Sequence, residues 1–241
     1  MFFVGILIVW EVIIFLLHIP EYLLPRPVQI ISEITVNFNS LLGHLGITML
    51  EAVFGYIIAN IIGFVVAVIF AHSKMVERGF YPYAIALQTT PIVAMAPLLV
   101  LWFGSGLASK IAVTAIICFF PILVNTIKGL KFVDENTIDL FKSYSANKWQ
   151  IFVKLRLPNS MPYIFSALKI STSLALVGAI VGEFVGASKG IGYLILTSSY
   201  HLETAIMFAA IIISAIAGVL FFKVISFIEK KVIFWQKPEE F

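Results

Sequence analysis

Apolar residues in this chain come in six runs of roughly twenty, about the length that crosses the hydrocarbon core of a bilayer, with most of its charged residues crowded between or at the ends of them. Inside lipid no water is available to satisfy backbone N–H and C=O groups, so runs of this kind specify helices. The six candidates are Phe2–Ile19, Thr48–Ala71, Pro82–Phe103, Ser109–Ile127, Pro162–Val185 and Thr204–Ile228. With 61% hydrophobic and only 12% charged residues, nothing is left over for a soluble domain, and residues 1–241 read as one all-α transmembrane domain. The first run has no basic segment before it, and Leu17-His18-Ile19 offers no small-residue cleavage site, so it is expected to stay attached as the first span. Glu11 within that run must either face other helices or lie near the interface, because a carboxylate at mid-bilayer costs on the order of 3 kcal/mol.

The basic residues set an orientation. With the N-terminus inside, thirteen lysines and arginines gather on the inner side (Lys74, Arg78, Lys128, Lys131, Lys142, Lys148, Lys154, Arg156, Lys169, Lys223, Lys230, Lys231 and Lys237) against Arg26, Lys110 and Lys189 outside. Positive residues favour the cytoplasmic face, so both termini and the segment 128–161 are expected there, in the cell membrane of a prokaryote. The connections Pro20–Ile47 and Gly186–Glu203 are then external loops.

The second span carries Gly55, Ala59, Gly63, Ala67 and Ala71, a small residue at every fourth position. The fifth carries Gly178, Gly182 and Gly186. In lipid, helices associate by close backbone approach along such seams, which serve either packing within the chain or a subunit interface. Pro91 and Pro97 break the third span, and a break of this kind is tolerated where protein or water satisfies the freed backbone, so this span is expected to border a pathway. Gln88, Thr89 and Thr90, beside Pro91, either line that path or satisfy the backbone near the kink. Glu183 lies 21 residues beyond Pro162, roughly 30 Å along a helix, which places it near the outer mouth as a solvated interfacial carboxylate or, with Gly186, as part of a gate or a partner contact.

Asp134–Pro162 is the one long charged, amphipathic insert. Ile138, Phe141 and Tyr144 share a helical face beside Asp139 and Lys142; Asn147 and Gln150 have capping-box spacing for a second helix presenting Trp149, Phe152 and Val153. Two short helices lying flat are expected, either on the protein's own base or in a partner's groove. The segment resembles the EAA loop of ATP-binding-cassette importer permeases: EAA, three residues, Gly, nine residues, Ile-x-Leu-Pro. Asp139-Leu140-Phe141, Ser145 and Leu155-Arg156-Leu157-Pro158 keep that spacing without a gap, though Asp, two bulky residues and Ser replace the family's letters. With serine in the glycine place, the turn at Ser145 need not be left-handed. Leu24-Pro25-Arg26-Pro27, Pro97–Gly104, Phe120-Pro121-Ile122 with Asn125-Thr126, and Glu183–Leu194 extend the similarity, over essentially the whole chain, to the sulfonate, taurine, nitrate and pyrimidine-precursor branch.

The resemblance implies a type I permease of six spans, working as a dimer of identical subunits. Two cytoplasmic ATPases, which hold ATP and magnesium, would take the coupling element Asp139, Leu140, Phe141, Tyr144 and Ser145 into their grooves. An extracytoplasmic binding protein would deliver a small polar solute near Gly186–Tyr193. No cofactor is expected in the chain itself. It is not the ATPase, since no glycine precedes a lysine and the phosphate-cradling GxxxxGK[ST] is therefore missing. The alternative is a self-sufficient ion-coupled secondary transporter, which usually needs mid-membrane ionisable groups or an inverted repeat. A membrane enzyme is disfavoured because His18, His44, His72 and His201 are scattered without HExxH spacing. Cys118 stands alone in an apolar run with no metal-ligand partners, and a net charge of +3 is too small to argue for nucleic acid.

Overall fold

The computed structural model describes residues 2–235, with side chains described from Gly5 onward. Lys237, counted among the basic residues above, lies outside the described residues. The helices are α1 (Phe2–Leu17), α2 (Pro27–Val36), α3 (Phe38–His72), α4 (Lys74–Thr89), α5 (Ile92–Phe103), α6 (Leu107–Lys131), α7 (Glu135–Ser143), α8 (Lys148–Ile151), α9 (Leu157–Glu183), α10 (Ile191–Tyr200) and α11 (Thr204–Val232), with a π turn at Phe152–Arg156 between α8 and α9. Among the described residues, four helical stretches are long and apolar enough to cross a membrane: α3, α6, α8 through α9, and α11. The bent pair α4 and α5 makes a fifth if counted as one span. The first of the six expected spans is a shorter apolar helix.

Helix α6 is the axis of the bundle. The small-residue faces of α3 and α9 press on it from two sides, so that a methyl group added at Gly55 would lie 2.4 Å from Thr114 Cβ, and one added at Gly63 2.1 Å from Ile122 Cγ2. From the other side, Gly178 would meet the Thr114 backbone at 2.8 Å, and Gly182 that of Lys110 at 3.1 Å. Contact this close is what replaces a hydrophobic driving force between helices in lipid. At Gly55, Gly63, Gly178 and Gly182 the two seams are therefore filled by this chain's own α6, while Gly186 lies beyond it.

The register of those contacts fixes direction. Gly55 faces Thr114 and Gly63 faces Ile122, so α3 and α6 run parallel; Gly178 faces Thr114 while Gly129 faces Ser160, so α9 runs antiparallel to both. Parallel neighbours need a return crossing between them, and only α4 and α5 lie between α3 and α6 in the chain. The bent pair therefore carries the chain from one end of the bundle to the other. One end gathers the start of α3, the start of α6, the finish of α9 and α10; the opposite end carries α7.

Several boundaries differ from the sequence reading. The third span is not one kinked helix: α4 and α5 meet at 99°. Pro91 drives Thr90 into an extended conformation (φ −70°, ψ 126°) and supplies no N–H to continue the ladder, whereas Pro82 and Pro97 sit inside their helices. The second short helix of the insert is not separate either. It runs through the π turn into α9, and that wider turn lies just before Pro158, whose ring would clash with the Lys154 carbonyl in a regular helix. Neither connection expected as a loop is one. Pro20–Ile47 holds α2 and the first turns of α3, and Gly186–Glu203 holds α10, because Ile30, Leu41 and Ile191 form an apolar core with Ala209, Ala210 and Ile213 of α11. Glu11 turns toward protein, with Oε2 buried and unpartnered, while the neighbouring Trp10 packs on Phe208.

Candidate functional sites

At the end carrying α7, the insert is shaped by its caps. Asp134 accepts the Thr137 N–H at 3.1 Å to start α7, and Asn147 and Gln150 form a reciprocal capping box at 2.9 and 2.8 Å to start α8. Between them the Ala146 N–H donates to the Phe141 carbonyl (3.0 Å) and the Ser145 N–H to the Lys142 carbonyl (2.8 Å), with Ser145 at φ +58°. This is a Schellman ending with Ser145 in the left-handed position that favours glycine. The turn is left-handed after all, because the closing bonds require that conformation whichever side chain occupies it.

The exposed apolar groups here are Tyr144 (80% exposed), Trp149 (70%) and Leu140 (53%). Phe141, one of the coupling residues named from the sequence, is half-buried against its own chain, as is Ile138. Phe152 is buried, leaving Trp149 and Val153 as the outward part of its group. Asp139 pairs with Lys142 at 2.9 Å in the open, a contact worth little in water.

At the bend, Gln88, Thr89, Thr90 and Pro91 are all exposed. Thr89 Oγ1 and Thr90 Oγ1 both donate to the Ala86 carbonyl, at 3.1 and 2.8 Å, so the two hydroxyls cap the last turn of α4. Among the described residues the Gln88 amide makes no hydrogen bond.

The opposite end holds a buried polar clamp. Glu183 finishes α9 at 1% exposure; it is no solvated interfacial carboxylate, because α10 folds over it. Thr48 donates to Glu183 Oε1 at 2.6 Å and accepts the Ile191 N–H at 2.7 Å, while the Gly192 N–H donates to Glu183 Oε2 at 2.5 Å. His44 Nδ1 lies 3.0 Å from the Gly190 nitrogen. The orphan donors at the start of α10 are thus satisfied by side chains of α3 and α9. Glycine is needed at both ends of that turn: a methyl group at Gly190 would sit 2.1 Å from Glu183 Oε1, and one at Gly192 2.6 Å from the Ile180 carbonyl. Glu51 (3% exposed) and Lys110 (1%) complete the cluster, with Lys110 Nζ donating to the Ser105 carbonyl. Lys110, counted from sequence among the outer-side cations, is a buried helix residue. Gly186 (φ +71°) lies outside the clamp, exposed in the turn that leaves α9.

Residues 59–234 match the family described as binding-protein-dependent transport system inner membrane component. The chain belongs to that family. Among similar proteins are the formylaminopyrimidine transport permease ThiX of Halalkalibacterium halodurans, 35% identical over 99% of this chain and 96% of its own length, and the putative aliphatic sulfonates transport permease SsuC of Bacillus subtilis, 32% identical over 98% and 86%. The fold is shared with the crystal structure of an amino acid ABC transporter with histidines: TM-score 0.68 at 16% identity, over 83% of this chain and 97% of that one. This inner membrane component is accordingly a multi-pass ABC-type permease of the sulfonate, taurine, nitrate and pyrimidine-precursor branch. Sequence reading of it missed His44, Thr48, Glu51 and Lys110. The available signal was their spacing, since His44, Thr48 and Glu51 fall at i, i+4 and i+7 on one helical face, with the carboxylate at the head of an apolar run.

Proposed function

We propose that the chain is the permease subunit of an ATP-driven importer, pairing with an identical subunit and passing a small polar solute, of sulfonate, taurine, nitrate or pyrimidine-precursor type, from an extracytoplasmic binding protein to the cytoplasm. The observation that carries this reading is the insert: α7 stands between the C-terminal end of α6 and the stretch leading into α9, and shows Leu140, Tyr144 and Trp149 to the outside. A push on α7 acts on both helices at once, since α6 and α9 are packed backbone to backbone at Gly129 and Ser160, where an added methyl group would meet Ser160 Cα at 3.0 Å. A cytoplasmic ATPase, holding ATP and magnesium itself, is the partner that supplies such a push. Asp139, Leu140, Phe141, Tyr144 and Ser145 form the coupling element, with Leu140 and Tyr144 as its outward contacts. Gln88, at the 99° bend, faces the pathway. Six spans, counting α1 as the first, and cytoplasmic termini complete the topology, supported by the excess of basic residues at the α7 end.

Cysteine labelling tests the orientation. On a Cys118→Ala background, cysteine at Lys189 should react with an impermeant thiol reagent added outside intact cells, and cysteine at Lys148 only after permeabilisation. The reverse pattern would put α7 outside and end the coupling argument. The ion-coupled alternative draws on the buried carboxyls, yet these cap α10 at one end of the bundle and do not form a relay across it.

A further inference from the structure

The clamp contains one more carboxyl than its bonds require in ionised form. Glu183 accepts at both oxygens, from the Gly192 N–H and from the Thr48 hydroxyl, whose other neighbour is the His44 carbonyl at 3.2 Å, and this bonding suits the ionised form. Glu51 lies one turn along α3 from Thr48, on the face that meets Glu183, and brings a second buried carboxyl to it. Glu51 Oε2 is buried with no hydrogen-bond partner among the described residues. An ionised oxygen in that state costs far more than a neutral carbonyl oxygen, and two carboxylates in contact cannot both stay charged. The other titratable groups facing the pair are His44 of α3, Lys110 of α6 and Tyr193 of α10, whose ring stacks on His44 at 6.1 Å. Lys110 is the one cation among them fully committed to the interior. Its ammonium is held by the Ser105 carbonyl, and among the described residues it forms no direct ion pair with either glutamate.

We propose that Glu51 is a proton-holding positioning residue: its carboxyl is protonated and donates to Glu183, leaving Oε2 as a neutral carbonyl and the clamp balanced as one lysine cation against one carboxylate. Through Glu183 this proton seats the N-terminus of α10, and with it the turn 184–190, on α3. Loss of the proton places a second charge against Glu183 and releases the turn. The proton inventory follows from the geometry of one chain and does not depend on what the chain transports.

The assembled protein, reconstituted in lipid nanodiscs, allows two readouts that need no ATP, partner or solute. The first is the protonated-carboxyl stretch in infrared spectra, recorded on a Glu11→Gln background to remove the other carboxyl with a buried, unpartnered oxygen among the described residues. The band should be present there and vanish on adding Glu51→Gln. The second is the labelling rate of cysteine at Lys189 on the Cys118→Ala background. Glu51→Gln, whose amide can still donate to Glu183, should leave that rate within about twofold, whereas Glu183→Gln, which turns an acceptor into a donor, should raise it about tenfold, the size of a lost helix cap. A merely structural role would make both substitutions loosen the turn alike. That result, an unchanged rate in Glu183→Gln, or no band on the Glu11→Gln background would overturn the proposal. If Glu51→Gln fails to assemble, the band on the Glu11→Gln background decides by itself.

Discussion

The two ends of the bundle solve the same problem in opposite ways. Each must satisfy a short helix lying across the ends of longer ones: α10 at one end, α7 at the other. Helix α10 draws its caps from elsewhere in the fold, from Thr48, Glu183 and His44, and its first residues Ile191 and Gly192 are buried. Helix α7 is capped only by its neighbours in sequence and leaves Leu140 and Tyr144 in the open. A segment whose polar groups are satisfied by distant residues is welded to the bundle. One whose polar groups are satisfied locally, while its apolar groups are not covered, is complete as a helix and incomplete as a surface. The comparison locates a fixed structural element at one end and a contact surface at the other.

The largest expected effect breaks the fixed end. Glu183→Ala leaves the Gly192 N–H without its acceptor and removes the carboxylate that balances Lys110 in the clamp, and a buried group left unsatisfied costs up to about 3 kcal/mol, more when it is charged. Unfolding of the purified protein in mixed micelles should show a loss of this order; a loss below about 1 kcal/mol would mean that the clamp is not welded. Tyr144→Asp at the other end should leave that unfolding curve where it was, because the side chain is 80% exposed. It should instead weaken ATPase co-purification roughly thirtyfold, if an aromatic contact worth about 2 kcal/mol is lost. Phe141→Asp is the less discriminating change, since Phe141 also packs within the chain and its loss mixes folding with binding. A smaller effect is expected from Asn147→Ala. It removes one half of the α8 capping box, worth about 1 kcal/mol, and should speed amide exchange in residues 147–151 without touching α10.

Legibility followed the range over which each feature is determined. The apolar runs announced α3, α6, α9 and α11, because length and composition in lipid permit little else. The capping box at Asn147 was readable for the same reason, its partner Gln150 being three residues away. The clamp was not readable: Thr48 meets Glu183 across 135 positions in sequence, and nothing near Glu183 says that α10 will fold over it. The same holds for Lys110, whose place at the head of the fourth span suggested an outer-side cation, whereas α9 packs on it at Gly182. The bend at Pro91 was visible as a break but not as a right angle, since its size depends on the return crossing that parallel α3 and α6 demand. Ser145 is the instructive middle case, where the residue type pointed one way and the bonding pattern another.

That case yields the last and smallest prediction. Ser145 adopts φ +58° because the Schellman bonds from Ala146 to Phe141 and from Ser145 to Lys142 close only with a left-handed residue between them. A serine there carries a Cβ that crowds the neighbouring carbonyl, about 1 kcal/mol worse than glycine in this conformation. Glycine also raises the entropy of the unfolded chain, which offsets part of the gain. Ser145→Gly should therefore stabilise the end of α7 by roughly 0.5 kcal/mol, seen as slower amide exchange at Ser143 to Ala146, with α10 unaffected. Ser145→Val tests the sign from the other side. A β-branched residue is poorly suited to positive φ, so exchange over the same residues should quicken. If valine and glycine behave alike, the α7 end does not hold its left-handed turn in solution, and the picture of a helix complete in itself before any partner arrives fails with it.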